Sequence, residues 1–406
     1  MGKTATSPSP SEAAPDAGPG PRLAVLANPG DVRLDLFQRA LRDRGLPAAR
    51  VIAYRDLLAG RIDLAATVAP GSFVRIDSPG RDAEVERALL ARGAEAAATE
   101  GSPVLSRAAL DRLTPDKGRL LHPRQWYLGF RSLLEEIEQS LAGVATFTSH
   151  PADIAVMFDK HLCHQRLQAD GLRVPAALPL ARGYEELRAL LREAGLPRVF
   201  VKLRHGASAS GVVALETAGG REQAWTTVEM APGGRLYNSR RLRRYQGAAE
   251  IASLIDALAP HGVHTEAWIP KAGVDGGSCD LRVVTVLGRP ALAVLRVSKG
   301  PLTNLHLLNR RADPALLRDR MRPEAWEALL ESCRRVAARF PRTLHTGIDV
   351  AVRVGFRDHA VLEVNAFGDL LHGVTRDGRD TYATELAALL GETAAADGDP
   401  CSTLVP

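Results

Sequence analysis

The chain has 406 residues, of which 45% are hydrophobic and 24% are charged, and its formal net charge is +5. This composition is ordinary for a soluble globular protein with two or three domains. No apolar run approaches the roughly 20 residues that a membrane-spanning helix needs, and the N-terminus lacks the layout of a secretory signal. The mild positive charge permits anionic ligands without requiring nucleic acid. Four scattered cysteines without metal-ligand spacing predict reduced thiols, and therefore a cytoplasmic protein that contacts no membrane.

The first third of the chain combines a leader with an α/β pattern. Residues 1–21 are mostly serine, proline, alanine and glycine, a composition that predicts a disordered leader. Over residues 22–150, short apolar runs alternate with segments of helical spacing, which predicts an α/β domain built on a parallel sheet. The strands are expected at 23–27 and 51–54, and the helices at 34–41 and 82–93.

Several polar side chains of this domain are candidates for a pocket. Ordinary loop and helix-cap roles are an equally good interpretation of the same residues. His161 and His164, beyond the domain, have the spacing of a metal pair on a helix, but no further ligands follow nearby, and packing roles are favoured. The candidates for the pocket are Arg75, Asp77, Ser78, Arg81 and the basic-aromatic segment 122–127.

A strand followed by a loop of small residues indicates a phosphate site. Lys202 lies in a short apolar run, and the loop from Gly206 to Gly211 comes directly after it. Glycine lets backbone N–H groups approach a polyphosphate closely, the hydroxyl groups of Ser208 and Ser210 add donors, and the lysine supplies positive charge. The order of residues differs from that of a Walker loop, and a strand rather than a helix is expected to follow.

Two strand-like segments near the C-terminal end carry oxygen ligands. Both segments alternate apolar residues with others, so they predict an antiparallel hairpin. In its predicted register Asp349 lies opposite Glu363, and Asn365 follows on the same face. Leu362 and Val364 are predicted on the opposite face of the hairpin.

Two carboxylates and an amide oxygen on one face of a sheet predict a site for a hard cation such as Mg2+, which often binds substrate phosphates as well. The alternative is a surface hairpin that carries two solvated acids. The cation site is favoured because the acids interrupt runs that are otherwise apolar.

The segment 217–250 interleaves arginine with leucine and tyrosine. Nucleic acid binding is conceivable for such a pattern, but a solvated β-hairpin, or a lid that attracts an anionic substrate, is favoured. Residues 393–406 are polar and rich in alanine and glycine, which predicts a flexible tail. The remaining strands are expected at 263–269, 280–287 and 291–297, and the remaining helices at 162–171, 323–340 and 382–390.

Four motifs follow one another in a specific order. They are VFVKLRHGASASGVV at 199–213, DLRVVTVLGRPALAVLRVS at 280–298, TNLH at 303–306, and GIDVAV with LEVNAFGD at 347–352 and 362–369. This order resembles the ATP-grasp superfamily, and within it the branch of glutathione synthetase and the RimK-type ligases, over about residues 150–392. The resemblance implies a pre-ATP-grasp α/β domain at 22–150 and a two-lobed α+β ATP-grasp domain at 151–392, with a hinge near 265–270.

The resemblance also implies how ATP is held between the two lobes. Lys160 and Lys202 contact the phosphates, one or two Mg2+ ions (or Mn2+) bridge them, and Arg296, with Arg282, stabilises the transferring phosphoryl group. The residues implied for the loop over the phosphates are Gly206, Ser208, Ser210 and Gly211; those for the adenine hinge are Glu266, Ala267, Trp268 and Ile269; and those for the metal are Asp349, Glu363 and Asn365.

The function implied is an ATP-dependent carboxylate–amine ligase that forms a carbon–nitrogen bond through an acyl phosphate and releases ADP. Phosphoryl transfer needs positioning and charge neutralisation, which lysines, a glycine loop, Mg2+ and an arginine supply. The expected partners are small-molecule or peptide carboxylates and amines, without nucleic acid. Two alternatives stay open: a phosphotransferase on the same fold, and a non-catalytic ATP-binding partner protein.

Overall fold

The computed structural model describes residues 21–207, 209–218, 220–367, 371–392, 399–401 and 403–404. Apart from Pro21, the predicted leader lies outside these ranges. Of the predicted tail at 393–406, only five residues are described, and Thr403 and Leu404 pair there with Val374 and Thr375. Within the described ranges, no helix is both long enough and apolar enough to cross a membrane.

The first part of the chain forms a parallel sheet with helices around it, which confirms the predicted α/β pattern. Its strands are β1 (Leu23–Ala27), β2 (Arg50–Ala53), β3 (Ser72–Ile76) and β4 (Ala145–Phe147), in the order β2-β1-β3-β4. Buried apolar side chains cover both faces of the sheet. The helices are α1 (Val32–Asp43), α2 (Tyr54–Leu58), α3 (Leu64–Thr67), α4 (Ala83–Arg92), α5 (Ala94–Thr99), α6 (Arg107–Asp111) and α7 (Pro123–Ser140).

Helices α4 and α7 pack with their backbones in contact. A Cβ atom built on Gly129 would lie 1.9 Å from the carbonyl oxygen of Leu89, and one on Gly93 would lie 1.9 Å from that of Gln125. Glycine is therefore required at both positions. The segment 122–127, a candidate for a pocket, forms the start of α7 instead, and Gln125 and Tyr127 are buried there.

The middle of the chain forms an antiparallel sheet in the order β8-β7-β6-β5-β9, with β5 (Arg198–Leu203), β6 (Val212–Ala218), β7 (Arg221–Ala231), β8 (Arg235–Gln246) and β9 (Val263–Ala267). Two helices cover one face and bury Leu187 and Leu254 against it. A strand follows the Gly/Ser loop, as predicted, and β7 and β8 form a long hairpin within the segment 217–250. The helices are α8 (Pro151–Phe158), α9 (Lys160–Ala169), α10 (Tyr184–Glu193) and α11 (Ala248–Leu258).

The last part forms a second antiparallel sheet in the order β13-β12-β11-β14-β15, with β10 paired to β11. Helix α13 buries Leu329, Cys333 and Val336 against one face. The strands are β10 (Gly273–Val274), β11 (Gly277–Val286), β12 (Arg289–Ser298), β13 (Arg310–Ala312), β14 (His345–Val352), β15 (His359–Asn365), β16 (Val374–Thr375) and β17 (Thr403–Leu404); the helices are α12 (Ala315–Arg318), α13 (Pro323–Ala337) and α14 (Thr381–Leu389).

One apolar core joins the parallel sheet to the second antiparallel sheet, since it includes residues of β1, β3 and α7 together with residues of β11, β14 and α13. Helix α14 returns to the start of the chain, where Tyr382 and Leu386 pack against Phe37. Beneath this contact Arg75 forms an ion pair with Asp77 at 2.9 Å and another with Glu385. Arg75 and Asp77, candidates for a pocket, are therefore buried in an ion-pair cluster.

Candidate active site

A cavity of about 650 Å³ lies between the two antiparallel sheets, and loops of the parallel α/β unit close one end of it. Among the described residues, eight Lys or Arg and five Asp or Glu line this cavity. Such an excess of positive charge inside a concave site favours anionic ligands. The cavity contains most of the residues that the sequence identified as site candidates.

Two lysines lie on the side of the first antiparallel sheet. The ammonium group of Lys160, in the first turn of α9, donates to the carbonyl of Gly206 at 2.7 Å and pairs with Glu363 at 2.7 Å. Lys202, on β5, pairs with Glu266 at 2.5 Å. Burial lowers the pKa of Lys202, but the charges of Glu266 and Glu363 outweigh this and raise it, so the side chain stays cationic.

The loop after β5 requires both of its bracketing glycines. A Cβ on Gly206 would lie 2.4 Å from the carbonyl oxygen of Ser210, and one on Gly211, where φ is +68°, would lie 2.2 Å from the side chain of Leu203. Of the described loop residues, Gly206, Ala207 and Ala209 line the cavity, whereas Ser210 and Gly211 do not. Ser208 lies outside the described residues.

The four residues of the predicted hinge, at and just after the end of β9, make different contacts. Glu266 accepts hydrogen bonds from Lys202 and His264. Burial raises the pKa of Glu266, but the charge of Lys202 and the contact with His264 outweigh this and lower it to about 2. Ala267 and Ile269 line the cavity, whereas Trp268 does not.

Two backbone N–H groups of the hinge donate hydrogen bonds within the protein. The N–H groups of Ala267 and Trp268 donate to the carbonyls of Ala176 at 2.8 Å and Arg198 at 3.0 Å. The ring of Trp268 packs against Phe200, with 5.1 Å between the ring centroids. Trp268 therefore supports the hinge from behind, and Ile269 is the residue placed to meet a ligand.

Strands β14 and β15 form the predicted hairpin, called here the acidic hairpin. Asp349 lies opposite Glu363, as predicted, and Gly347 lies opposite Asn365. A β-bulge follows, since Val350 pairs with Val361, so Leu362 is the extra residue on β15. The prediction that Leu362 and Val364 share a face is therefore wrong, because the bulge turns Leu362 to the cavity beside Glu363 while Val364 stays in the core.

Two buried arginines surround Asp349. Arg282 donates to both carboxylate oxygens, at 3.0 Å for Oδ2, and Arg296 pairs with Oδ1 at 3.1 Å. Burial raises the pKa of Asp349, but the charges of these two arginines outweigh this and lower it. Both arginines line the cavity, so their positive charge faces any ligand beside Asp349.

Asp280 is a buried member of the site that the sequence analysis did not single out. Its carboxylate accepts from Arg296 at 2.7 Å, from Lys271 at 3.1 Å and from the Thr303 hydroxyl. The feature that could have identified Asp280 from the sequence is the pairing of β11 with β12, because this pairing sets Asp280 directly opposite Arg296. Asp280 therefore fixes the position of the arginine and neutralises part of its charge.

The oxygen ligands fit a hard cation in their chemistry. Asp349, Glu363 and Asn365 all line the cavity, and the amide nitrogen of Asn365 donates to the carbonyl of Gly347 at 3.2 Å, which leaves its oxygen for a ligand. No group of three or more His, Cys, Asp or Glu in the described chain is arranged to hold a metal alone. This donor set suits Mg2+, which commonly keeps several waters and shares phosphate oxygens.

The end of the cavity nearest the parallel sheet contains residues that the sequence left without a role or missed. Ser78 and Arg81, which were open candidates, line the cavity there. Arg33, Glu86 and Tyr382 line it as well, although they are far from the motifs in the sequence. For Arg33, the signal available in the sequence was its position after the turn that follows strand β1 of the parallel sheet.

The hairpin of β7 and β8, in the arginine-rich segment 217–250, lies beside the cavity. Leu242 of β8 and Trp225 of β7 pack against Leu302 and Leu307, in the loop that follows β12. This loop also lines the cavity through Thr303 and its neighbours. The hairpin therefore supports one rim of the site, and the predicted role as a lid stays a prediction.

Several solved structures are similar to this chain. D-cycloserine synthetase DcsG is 16% identical, with a TM-score of 0.53, over 91% of this chain and 99% of that chain. Carboxyaminoimidazole ribonucleotide synthase from Aspergillus clavatus, complexed with ATP, is 14% identical, with a TM-score of 0.53, over 95% of this chain and 79% of that chain. ATP-grasp ligase PsnB with its minimal precursor is 17% identical, with a TM-score of 0.49, over 92% of this chain and 99% of that chain.

No family model matches the sequence, and no curated protein matches it. The first two structural similarities extend over more than nine-tenths of this chain, at identities that show the fold alone. The parallel unit and both antiparallel sheets are thus part of a shared architecture. The chain therefore has the ATP-grasp fold, as the order of its motifs predicted.

Proposed function

We propose that the protein is an ATP-dependent ligase that joins a carboxylate to an amine through an acyl phosphate. The observation that carries this proposal is the contact between Lys160 and Glu363 at 2.7 Å. This contact sets the cationic wall of the first antiparallel sheet directly beside the oxygen ligands of the second. A polyphosphate with its metal ion is the ligand that needs both kinds of group at one place.

The proposed position of ATP follows from the character of each wall. Its phosphates lie between Lys160, Lys202 and the acidic hairpin, beneath the loop that starts at Gly206. Its adenine lies against Ile269 and Leu362, which are apolar neighbours on one side of the cavity. The metal, one Mg2+ or two, with Mn2+ as an alternative, would be held by Asp349, Glu363 and Asn365 and would neutralise phosphate charge when bound.

The chemistry proposed needs no nucleophilic side chain. A substrate carboxylate oxygen attacks the γ-phosphorus, the bond to the bridging oxygen breaks, and ADP leaves. The amine nitrogen then attacks the acyl carbon, inorganic phosphate leaves, and the nitrogen loses a proton. Arg296, fixed by Asp280 and Asp349, and Arg282 beside it stabilise the charge on the transferring group.

An ADP-release screen across amino acids, peptides and carboxylic acids tests this proposal. We expect release of ADP and phosphate together with an amide product. A substrate labelled with 18O in its carboxylate should pass one labelled oxygen to phosphate, as an acyl phosphate requires. A stable phosphorylated product would identify a phosphotransferase instead, and nucleotide binding without turnover on any substrate would identify a binding protein.

We predict that Glu363→Gln lowers kcat by about 100-fold or more while the Kd for a non-hydrolysable ATP analogue changes by less than about tenfold. The amide keeps the shape of the side chain but loses the charge that a metal ion needs in the transition state. Steady-state kinetics and calorimetry measure the two quantities. Glu185→Gln, exposed on α10, is the matched control; equal losses of binding and turnover in Glu363→Gln would contradict the assigned role.

A further inference from the structure

Asp159 directly precedes Lys160 and is fully buried at the start of α9. Its Oδ1 atom accepts the backbone N–H groups of His161 and Leu162, at 3.0 and 3.2 Å, as the side chain of a helix N-cap does. A cap needs only one carboxylate oxygen, since Asp82 caps α4 in the same way with both N–H groups on Oδ1. The Oδ2 atom of Asp159 is therefore available for another role.

This second oxygen holds the two residues that join β5 to the Gly/Ser loop. Arg204 donates to it through Nη2 at 2.5 Å, and to Oδ1 through Nε at 3.2 Å. His205, whose side chain is fully buried, contacts it through Nε2 at 3.0 Å. Burial lowers the pKa of His205 to about 4, although the contact with Asp159 opposes this, so the ring is neutral at pH 7 and donates the proton on Nε2 to the carboxylate.

The contact between Asp159 and His205 connects both parts of the chain that would hold phosphates. The backbone N–H of Lys160 donates to the carbonyl of Arg204 at 3.0 Å, and its ammonium group donates to the carbonyl of Gly206 at 2.7 Å. Lys160 follows Asp159 directly in the sequence. In the same way, Gly206 follows His205. The hydrogen bond from His205 to Asp159 therefore sets the distance between the lysine and the loop.

Residues of the parallel unit hold this pair from behind. The ring of Tyr127, on α7, stacks on that of His205, with 4.0 Å between the ring centroids and 20° between the planes. Arg124, three residues earlier on the helix, lies 3.8 Å from Oδ2 of Asp159 and forms an ion pair with Glu100 at 2.6 Å. The stacking fixes the plane of the imidazole, so its Nε2 atom stays directed at the carboxylate.

Neither Asp159 nor His205 lines the cavity, although their neighbours Lys160 and Gly206 do. From this arrangement we propose that Asp159 and His205 are positioning residues, whose hydrogen bond holds Lys160 and the loop at the separation that nucleotide phosphates require. The proposal rests on the proposed function, because it takes the ligand between the lysine and the loop to be a nucleotide. A displacement of about 1 Å can cost a binding group much of its effect, so the loss of this one hydrogen bond should be measurable.

Two substitutions of His205 separate the hydrogen bond from the packing. His205→Gln keeps an N–H donor near the position of Nε2 but loses the ring, whereas His205→Phe keeps a ring on Tyr127 but loses the donor. In Asp159→Asn, Oδ1 still caps the helix, while the amide NH2 group replaces the oxygen that accepts from Arg204 and His205. Calorimetry on the full chain with Mg2+ measures the Kd of a non-hydrolysable ATP analogue, and that of adenosine as a ligand without phosphates.

We expect His205→Phe and Asp159→Asn to weaken binding of the ATP analogue about tenfold or more, and His205→Gln to weaken it by less than about threefold. Adenosine should bind all three variants within about threefold of the native Kd, because it has no phosphate to contact the lysine or the loop. Asp170→Asn is the matched control, since it removes an acid at the other end of α9 that pairs with Arg339. This control should bind both ligands like the native protein.

Native affinity of His205→Phe for the ATP analogue would overturn the inference, and so would an equal loss in His205→Gln, which would assign the effect to the ring. Equal weakening of adenosine would overturn it as well, because the damage would then extend beyond the phosphates. If Asp159→Asn does not fold, the two variants of His205 decide the question. Binding of the ATP analogue by the native protein without ADP release on any substrate would contradict the proposed function and leave the positioning role in place, whereas no binding at all would contradict both.

Discussion

Glu266 shows how a single buried carboxylate contributes to folding and to the site at once. It is 2% exposed, and its two neighbours, Lys202 and His264, lie on β5 and on β9 itself. An unpaired buried charge is costly, so the carboxylate and the ammonium group depend on each other. The same pair keeps Lys202 in position for the phosphates in the proposed complex.

This pair predicts a specific dependence of stability on pH. The pKa of Glu266 is lowered from 4.5 to about 2, so its stabilising effect is complete above pH 4.5 and is lost as the pH falls towards 2. Chemical denaturation should show that the stability difference between the native protein and Glu266→Gln shrinks by about 3 kcal/mol over this range. A constant difference would contradict the pairing; Glu84→Gln, with an exposed side chain, should change stability by less than about 0.5 kcal/mol.

At the scale of single residues, the sequence predicted which charged residues line the cavity, but it did not predict the ion pairs that they form. Lys160, Lys202 and the acids of the hairpin lie in the cavity as expected. Their counter-charges could not be read from local pattern, since Lys160 and Glu363 are about 200 positions apart. Asp280 illustrates the opposite case, because strand pairing alone would have placed it against Arg296.

The crossing of α4 and α7 is decided by two small residues. Because Gly93 and Gly129 have no side chains, the two helices approach until backbone meets backbone. The sequence analysis did not identify this crossing, because local spacing does not show which two helices approach each other. Helix α7, of 18 residues, was not predicted either, although Phe130, Leu134 and Ile137 recur at helical spacing along it.

We predict that Gly129→Ala destabilises the protein by about 3 kcal/mol or more, because its methyl group would overlap the carbonyl of Leu89 and force the helices apart. Urea denaturation measures the effect. Gln139→Ala, exposed on the same helix, should change stability by less than about 0.5 kcal/mol. An equally small effect of Gly129→Ala would mean that the helices can separate freely.

Across the whole molecule, the first and last parts of the chain fold onto each other. Glu385 of α14 is fully buried, pairs with Arg75 of β3, and lies 3.1 Å from His345 of β14. One carboxylate thus connects the parallel sheet with the second antiparallel sheet. Contacts between residues some 300 positions apart leave no periodic signal, which is why the end of the cavity beside Tyr382 was not predicted in advance.

We predict that Glu385→Gln lowers the free energy of unfolding by about 3–5 kcal/mol, because it leaves Arg75 buried without its full counter-charge. Hydrogen exchange should show weaker protection in both β3 and β14. Glu392→Gln removes an acid that pairs with Arg44 at the surface, and we expect it to cost less than about 1 kcal/mol. Weaker protection confined to one of the two sheets would contradict the coupling.

The alternation of strands with helices predicted the α/β unit, and the order of the four motifs, through the family that it resembles, implied the two-lobed fold. They succeeded because each motif lies within one or two neighbouring elements, where local spacing determines geometry. The end of the cavity nearest the parallel sheet combines the segments that follow β1 and β3 with α14. Which residues line this end depends on the packing of the whole chain, so no single segment of the sequence predicts them.

The bulge at Leu362 has a consequence for how such a chain can change length during evolution. Loss of this one residue would leave Val361 opposite Val350 and Glu363 opposite Asp349, each on its present face, but it would remove the apolar side chain that lies beside Ile269 at the cavity. The turn at 353–358, by contrast, is mostly exposed and can gain or lose residues at little cost. Among distant descendants of this sequence, we therefore expect insertions and deletions to collect in the turn and to spare the bulge.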